Sequence, residues 1–192
     1  MINGVGVEYV AHTEVIVSVF EEAMTALELR KASLEEDLQV VHELHNEIPA
    51  QESGFTNPAF GLDAEQFKAY VNGLLAESRG AGLSEGRVPM TTYWLFEDGL
   101  PVGISRFNHM LTPELLREGG HVSYAIRPSA RGRGLGKTIL KLTLEKVKEF
   151  VSGRVLLTCD SDNERSKKVI EHNGGISESS QDKTILRFWI II

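Results

Sequence analysis

The sequence predicts one α/β domain, and three observations carry that expectation. Segments such as Val102-Gly-Ile-Ser-Arg-Phe107 alternate apolar with small or polar residues, as half-buried strands do. Other segments place apolar residues on one helical stripe, as do Leu140, Leu144, Val147 and Val151. The third is a strand, a glycine-rich turn and a helix start in one run, His121-Val-Ser-Tyr-Ala-Ile-Arg-Pro-Ser-Ala-Arg-Gly-Arg-Gly-Leu-Gly-Lys-Thr138. At 192 residues and 42% hydrophobic content, the chain is long enough for one well-cored domain.

The elements follow in order. Residues 1–23 stand apart: Glu14-Val-Ile-Val-Ser-Val-Phe20 favours extended structure, but no partner strand is evident, so they read either as an N-terminal extension or as an extra strand. The domain proper is expected over 24–192. Leu27–Lys31 is a short strand, and Ser33 with Glu36 resembles a capping box that opens a helix bearing Leu34, Leu38, Val41, Leu44 and Ile48. Asp63 caps a second helix with Phe67, Tyr70, Val71, Leu74 and Leu75 on one side. Ser53–Gly61 and Arg79–Gly86 read as loops from their Gly, Pro, Asn and Ser content. Thr91–Phe96 and Val102–Phe107 form a hairpin around Glu97-Asp-Gly-Leu-Pro101, and Thr112–Glu118 is a short helix. After the glycine-rich run come a long helix stopping at Gly153 and a strand, Val155–Cys159, whose apolarity suits a parallel neighbour reached by a right-handed crossover. A helix over Asn163–His172 and a strand over Thr184–Ile190 complete the pattern.

The glycine-rich run suits an anionic ligand. Gly132, Gly134 and Gly136 let a backbone approach a ligand closely, and the helix starting near Leu135 aims unsatisfied N–H groups at the same space. Arg127, Arg131, Arg133, Lys137 and Lys141 form a basic island in a chain of net charge -7. Spacing narrows the ligand. A P-loop ending in Gly136-Lys137-Thr138 would need glycine at 131, where Arg stands, and a dinucleotide fingerprint would need glycine at 137, where Lys stands. Arg-x-x-Gly-x-Gly, at Arg131, Gly134 and Gly136, is what remains.

With the Arg-Pro upstream, that loop resembles the coenzyme A loop of the GNAT-type N-acetyltransferase superfamily. Cys159-Asp-Ser-Asp-Asn163 followed by Val169-Ile-Glu-His-Asn-Gly-Gly175 is similar to the family's second motif, and Gly119-Gly-His121 with it resembles a bacterial subgroup of predicted acetyltransferases. The resemblance covers about Leu27 to Ile190. It implies the GNAT acyl-CoA N-acyltransferase fold: a mixed α/β single domain whose mostly antiparallel sheet contains one splayed parallel pair, with helices on both faces. It also implies acetyl-CoA as co-substrate, with the pantetheine arm lying along Tyr124, Ala125, Ile126 and Arg127. The pyrophosphate would be held by the amides of Arg131, Gly132, Arg133, Gly134, Leu135, Gly136, Lys137 and Thr138, and the arm steadied by Asn163 and Ser166. The reaction implied is direct attack of a primary amine, small-molecule or peptide, on the thioester.

The proton-transfer set departs from the family's usual one. His121 stands where many relatives carry a carboxylate, so it is a candidate base, with a structural histidine as the competing reading. The family's thiolate-protonating tyrosine falls on Ile170, which leaves Tyr124 as a substitute acid or else a core aromatic. Cys159 is a candidate for covalent acetyl transfer but reads better as a small buried hydrophobe. Ile170 motivates an alternative, a silent domain that binds coenzyme A as a sensor, and Gly136-Lys137-Thr138 motivates a second, a P-loop-like NTPase. The acidic balance argues against nucleic acid and anionic membranes, one cysteine fits a reducing cytoplasm, and no apolar run approaches the roughly 20 residues of a membrane span. No histidine set has metal-ligand spacing, so no metal is expected. The sequence leaves open whether the chain pairs as a homodimer.

Overall fold

Strands β4 and β5, the longest among the described residues, stand between two cores, and the remaining elements are arranged around them in a computed structural model that describes residues 25–178 and 184–192. In chain order the elements are β1 (Leu27–Lys31), α1 (Leu38–Glu47), β2 (Gln51–Glu52), β3 (Phe55–Thr56), α2 (Ala64–Glu77), β4 (Met90–Glu97), β5 (Leu100–Asn108), α3 (Pro113–Arg117), β6 (Val122–Ile126), α4 (Leu135–Val147), β7 (Arg154–Asp160), α5 (Glu164–His172), β8 (Ile176–Glu178) and β9 (Ile185–Ile191). The expected 1–23 extension lies outside the described residues.

Among the described residues two larger sheets form, one ordered β1-β4-β5-β6 and one ordered β7-β9-β8, beside the two-stranded pair β2-β3. Because side chains alternate across a strand, Tyr93 and Leu95 face α4 while Trp94 and Phe96 face α1 and α2. The first core joins Leu95 and Phe107 to Ile139, Leu140, Leu157 and Phe188, and the second joins Trp94 and Ile104 to Val41, Leu44, Phe67 and Val71. Burial of these side chains contributes about 1.5–3 kcal/mol each.

Four details differ from expectation. α1 begins at Leu38: Asp37 caps it by accepting the Gln39 N–H, while Glu36 is drawn to Arg30, which leaves Leu34 ahead of the helix. Ser53 and Gly54, at φ 48° and 80°, turn a two-residue hairpin β2–β3 inside what read as a loop. α4 stops at Val147, several residues before Gly153. β8 was hidden in the sequence because its three residues are all exposed.

β6 and β7 share no ladder. They join at one end, where the His121 N–H donates to the Leu156 carbonyl (2.7 Å) and the Leu156 N–H donates to His121 Nδ1 (2.9 Å). Gly120 makes this approach feasible, since at φ 65° a Cβ would sit 2.6 Å from the Leu156 oxygen. Beyond that junction the two strands fork. Among the described residues, no helix is long and apolar enough to cross a membrane.

Candidate active site

The fork opens into a cavity of about 750 Å³. Sheet geometry decides which groups it exposes. The His121 carbonyl accepts from Asn108 and the Arg127 N–H donates to Val102, so odd-numbered residues of β6 direct their backbone at β5. By alternation, the backbone groups of Val122, Tyr124 and Ile126 face the fork, where β7 offers no ladder. An extended ligand can add there as a strand. Of the four residues expected along the pantetheine arm, Tyr124 and the N–H of Ile126 thus present backbone groups, the Ile126 carbonyl being taken by Arg131; Ala125 lines the cavity, but the amide of Arg127 is already bound within the sheet.

At the mouth of the fork, the 3-10 turn Pro128–Ala130 leads into Arg131–Gly134 and the N-terminus of α4. Gly132 and Gly134 both adopt φ 82°, a conformation that curls successive amides around a concave anion site. Gly134 is the N-cap and has no side chain to satisfy the first helical N–H groups, which therefore point outward. The amides of Lys137 and Thr138 both donate to the Gly134 carbonyl, so the nest consists of residues 132–136, shorter than expected.

The arginines of the loop do not stand as a free basic island. Arg127 pairs with Glu47, Arg131 makes two bonds to Glu52 (2.8 and 2.6 Å), and Arg133 meets Glu97 at 2.5 Å. Burial raises the Glu47 carboxyl, but bonds from Ser129 and Arg127 outweigh it and hold the group below the usual carboxylate range. The Arg131 guanidinium holds Glu52 low in the same way. Arg131 Nε also donates to the Ile126 carbonyl (2.9 Å), fixing the loop to the end of β6. Arg131 is thus a positioning residue, and the loop side chain left to meet an anion is Lys137, which lines the cavity together with Arg165 and Lys168 of α5.

Tyr124, Cys159 and Ser166 meet on the α4–α5 side of the fork, and all three line the cavity. The Tyr124 and Ser166 hydroxyls are 3.1 Å apart. Burial pushes the Tyr124 phenol up to about 12, so it keeps its proton, and burial likewise pushes the Cys159 thiol up to about 11, which leaves it a poor nucleophile. Asn163 caps α5 by accepting the Ser166 N–H, and its amide donates to the Ser53 carbonyl across the fork. Ile170, fully buried, carries no polar group into the site.

His121 does not join this group. Its ring is 6% exposed, stacks on Phe107 and accepts the Leu156 amide, and burial lowers its pKa. Asp160 was not singled out from the sequence. It lines the cavity at the end of β7, near Gly54 of the hairpin, and only the fork brings it into the site. No group of three metal-ligating side chains gathers among the described residues.

Residues 26–176 match the model of the acetyltransferase (GNAT) domain family. No curated protein matches the chain significantly. Among solved structures, RimL, the ribosomal L7/L12 alpha-N-protein acetyltransferase in complex with coenzyme A, is similar at 22% identity and TM-score 0.63, over 88% of this chain and 96% of that one. The microcin C7 self-immunity acetyltransferase MccE, in complex with acetyl-CoA and AMP, is similar at 15% identity and TM-score 0.62, over 86% and 92%. A GNAT-family acetyltransferase from Streptococcus pneumoniae is similar at 16% identity and TM-score 0.56, over 87% and 100%. These structures share the fold, and the family match overturns the P-loop alternative. The chain belongs to the GNAT acetyltransferases, enzymes that take their acetyl group from acetyl-CoA.

Proposed function

We propose that the protein transfers the acetyl group of acetyl-CoA to a primary amine by direct attack, with the thioester held in the fork between β6 and β7. The observation that carries this reading is the placement of an anion nest at the fork's mouth and a hydroxyl pair, Tyr124 and Ser166, inside it. The pyrophosphate lies on the amides of residues 132–136, and the pantetheine arm pairs with the exposed backbone of β6. The amine nitrogen attacks the carbonyl carbon, and a fork-facing N–H of β6 stabilises the oxygen that gains charge.

When the intermediate collapses, the C–S bond breaks and the thiolate takes the Ser166 proton, while Tyr124 keeps its own and hydrogen-bonds to the Ser166 oxygen until solvent at the cavity mouth restores the proton. The proton lost by the amine passes to Asp160 through water. His121 has no part in this, because its Nδ1 is engaged and its ring is outside the cavity lining. RimL is named as an alpha-N-protein acetyltransferase, which favours an amine of peptide character as the acceptor class.

Incubation with acetyl-CoA and a panel of amines, read as release of free thiol, tests the reading; coenzyme A binding with no turnover on any amine would replace it with the silent domain that Ile170 motivates.

A further inference from the structure

We propose that Arg106 anchors a carboxylate of the acceptor, making the preferred substrate an amine that carries an acidic group within the span of the cavity. The inference rests on the amine-acceptor reading above and extends it.

The face of the sheet towards α1 and α2 carries a polar row that crosses β4, β5 and β6. Thr92 on β4, Arg106 on β5 and Ser123 on β6 stand in register as successive cross-strand partners, so their side chains share that face. Ser123 lines the cavity. The row therefore runs from the cavity wall into the protein, and it ends in two unmet groups. Arg106 Nε and Thr92 Oγ1 are both buried without a hydrogen-bond partner among the described residues.

An arginine only 8% exposed is ordinarily paired with a carboxylate. Among the described residues, Arg106 has none within ion-pair distance. Of its five N–H groups, one donates to the Thr56 carbonyl (2.6 Å) and one to the Tyr70 hydroxyl (3.2 Å), both neutral acceptors. Its guanidinium also lies 4.7 Å over the Phe55 ring, and Phe55 lines the cavity. A desolvated cation that lies behind the cavity lining, next to Ser123 and over Phe55, and lacks an anion is the arrangement that a substrate carboxylate completes. Asp160 and Glu118, on the same cavity, supply the opposite charge for the amine.

The test uses matched acceptors. Glycylglycine against glycylglycinamide probes a small free acid, and the peptide amides Ser-Asp-Gly against Ser-Asn-Gly probe an acidic peptide. The protein is expected to prefer the carboxylate member of at least one pair by about 10- to 100-fold in kcat/KM, mainly through KM. Arg106→Lys and Thr92→Val should each shrink that ratio; Thr92→Val removes an unbonded hydroxyl at nearly constant shape and keeps the test open should Arg106→Lys fold poorly. Independently of turnover, the Arg106 Nε–H resonance should shift on titration with N-acetylglycylglycine and not with its amide. Were no amine acetylated, the resonance would still decide the point, separating failure of this inference from failure of the amine reading. An unmoved resonance, or a ratio indifferent to both substitutions, would leave a water-bridged structural arginine and overturn the assignment.

Discussion

The imidazole of His121 is bonded to the main chain of Leu156, accepting its N–H at Nδ1 while the His121 N–H returns a bond to the Leu156 carbonyl. This reciprocal pair is where the two sheets meet, and it sets the point from which β6 and β7 diverge. His121→Ala should therefore cost stability, about 1–3 kcal/mol for the unpaired buried amide alone, and raise the KM for acetyl-CoA as the fork loosens. The pH profile of kcat should keep its shape. Thermal unfolding together with a pH–rate series checks this; loss of the profile's acidic limb would restore His121 as the base.

Ser166→Ala should lower kcat by about 100-fold or more, in the range of a lost general acid, with a much smaller effect on acetyl-CoA binding. Tyr124→Phe should lower it less, since the Ser166 hydroxyl remains beside the thiolate. Single-turnover thiol release and calorimetric binding of coenzyme A separate the two effects.

Arg131 acts through geometry. Arg131→Lys keeps the charge but cannot reproduce two parallel bonds to Glu52 and a third to Ile126, so it should weaken coenzyme A binding nearly as much as Arg131→Ala. Equal affinity of wild type and the lysine variant in a titration would contradict the positioning role.

Burial lowers the pKa of His45 from 6.5 to about 4, with Asn57 bonded at Nδ1 and the Trp94 indole donating to Nε2. The folded protein refuses a proton that the unfolded chain accepts. Stability from this group is complete above about pH 6.5 and falls as pH drops towards 4, by on the order of 3 kcal/mol in total. Urea midpoints from pH 8 to pH 4.5 should show the decline, and His45→Gln should flatten it.

Cys159 should remain unmodified when the protein is incubated with acetyl-CoA alone, because a thiol pushed up to about 11 is almost fully protonated at neutral pH. Intact mass gives the answer, and an added acetyl group on Cys159 would require a covalent mechanism.

Local signals made the frame of the protein legible. The glycine spacing after β6 located the glycine-rich nest, apolar periodicity located α2 and the start of α4, and Asn163 with the glycines after His172 located α5 nearly to its ends. Long-range pairing hid what remained. Arg127, Arg131 and Arg133 read as free cations because their glutamates lie on α1, β2 and β4, distant in sequence. The Ser33 cap failed for a related reason, since Glu36 serves Arg30 on the neighbouring strand. Asp160 and Arg106 carry no local motif at all; the fork gives the first its place, and strand register gives the second its neighbours.

The β2–β3 hairpin offers Glu52 to the donor loop, Ser53 to the cap of α5 and Thr56 to Arg106. One six-residue segment, 51–56, therefore braces the walls proposed for both substrates. Its sequence is not free to drift with acceptor preference, because a graft that omitted Glu52 would release Arg131 and disturb the coenzyme site. Exchange of this hairpin between relatives should succeed only when glutamate and arginine travel together.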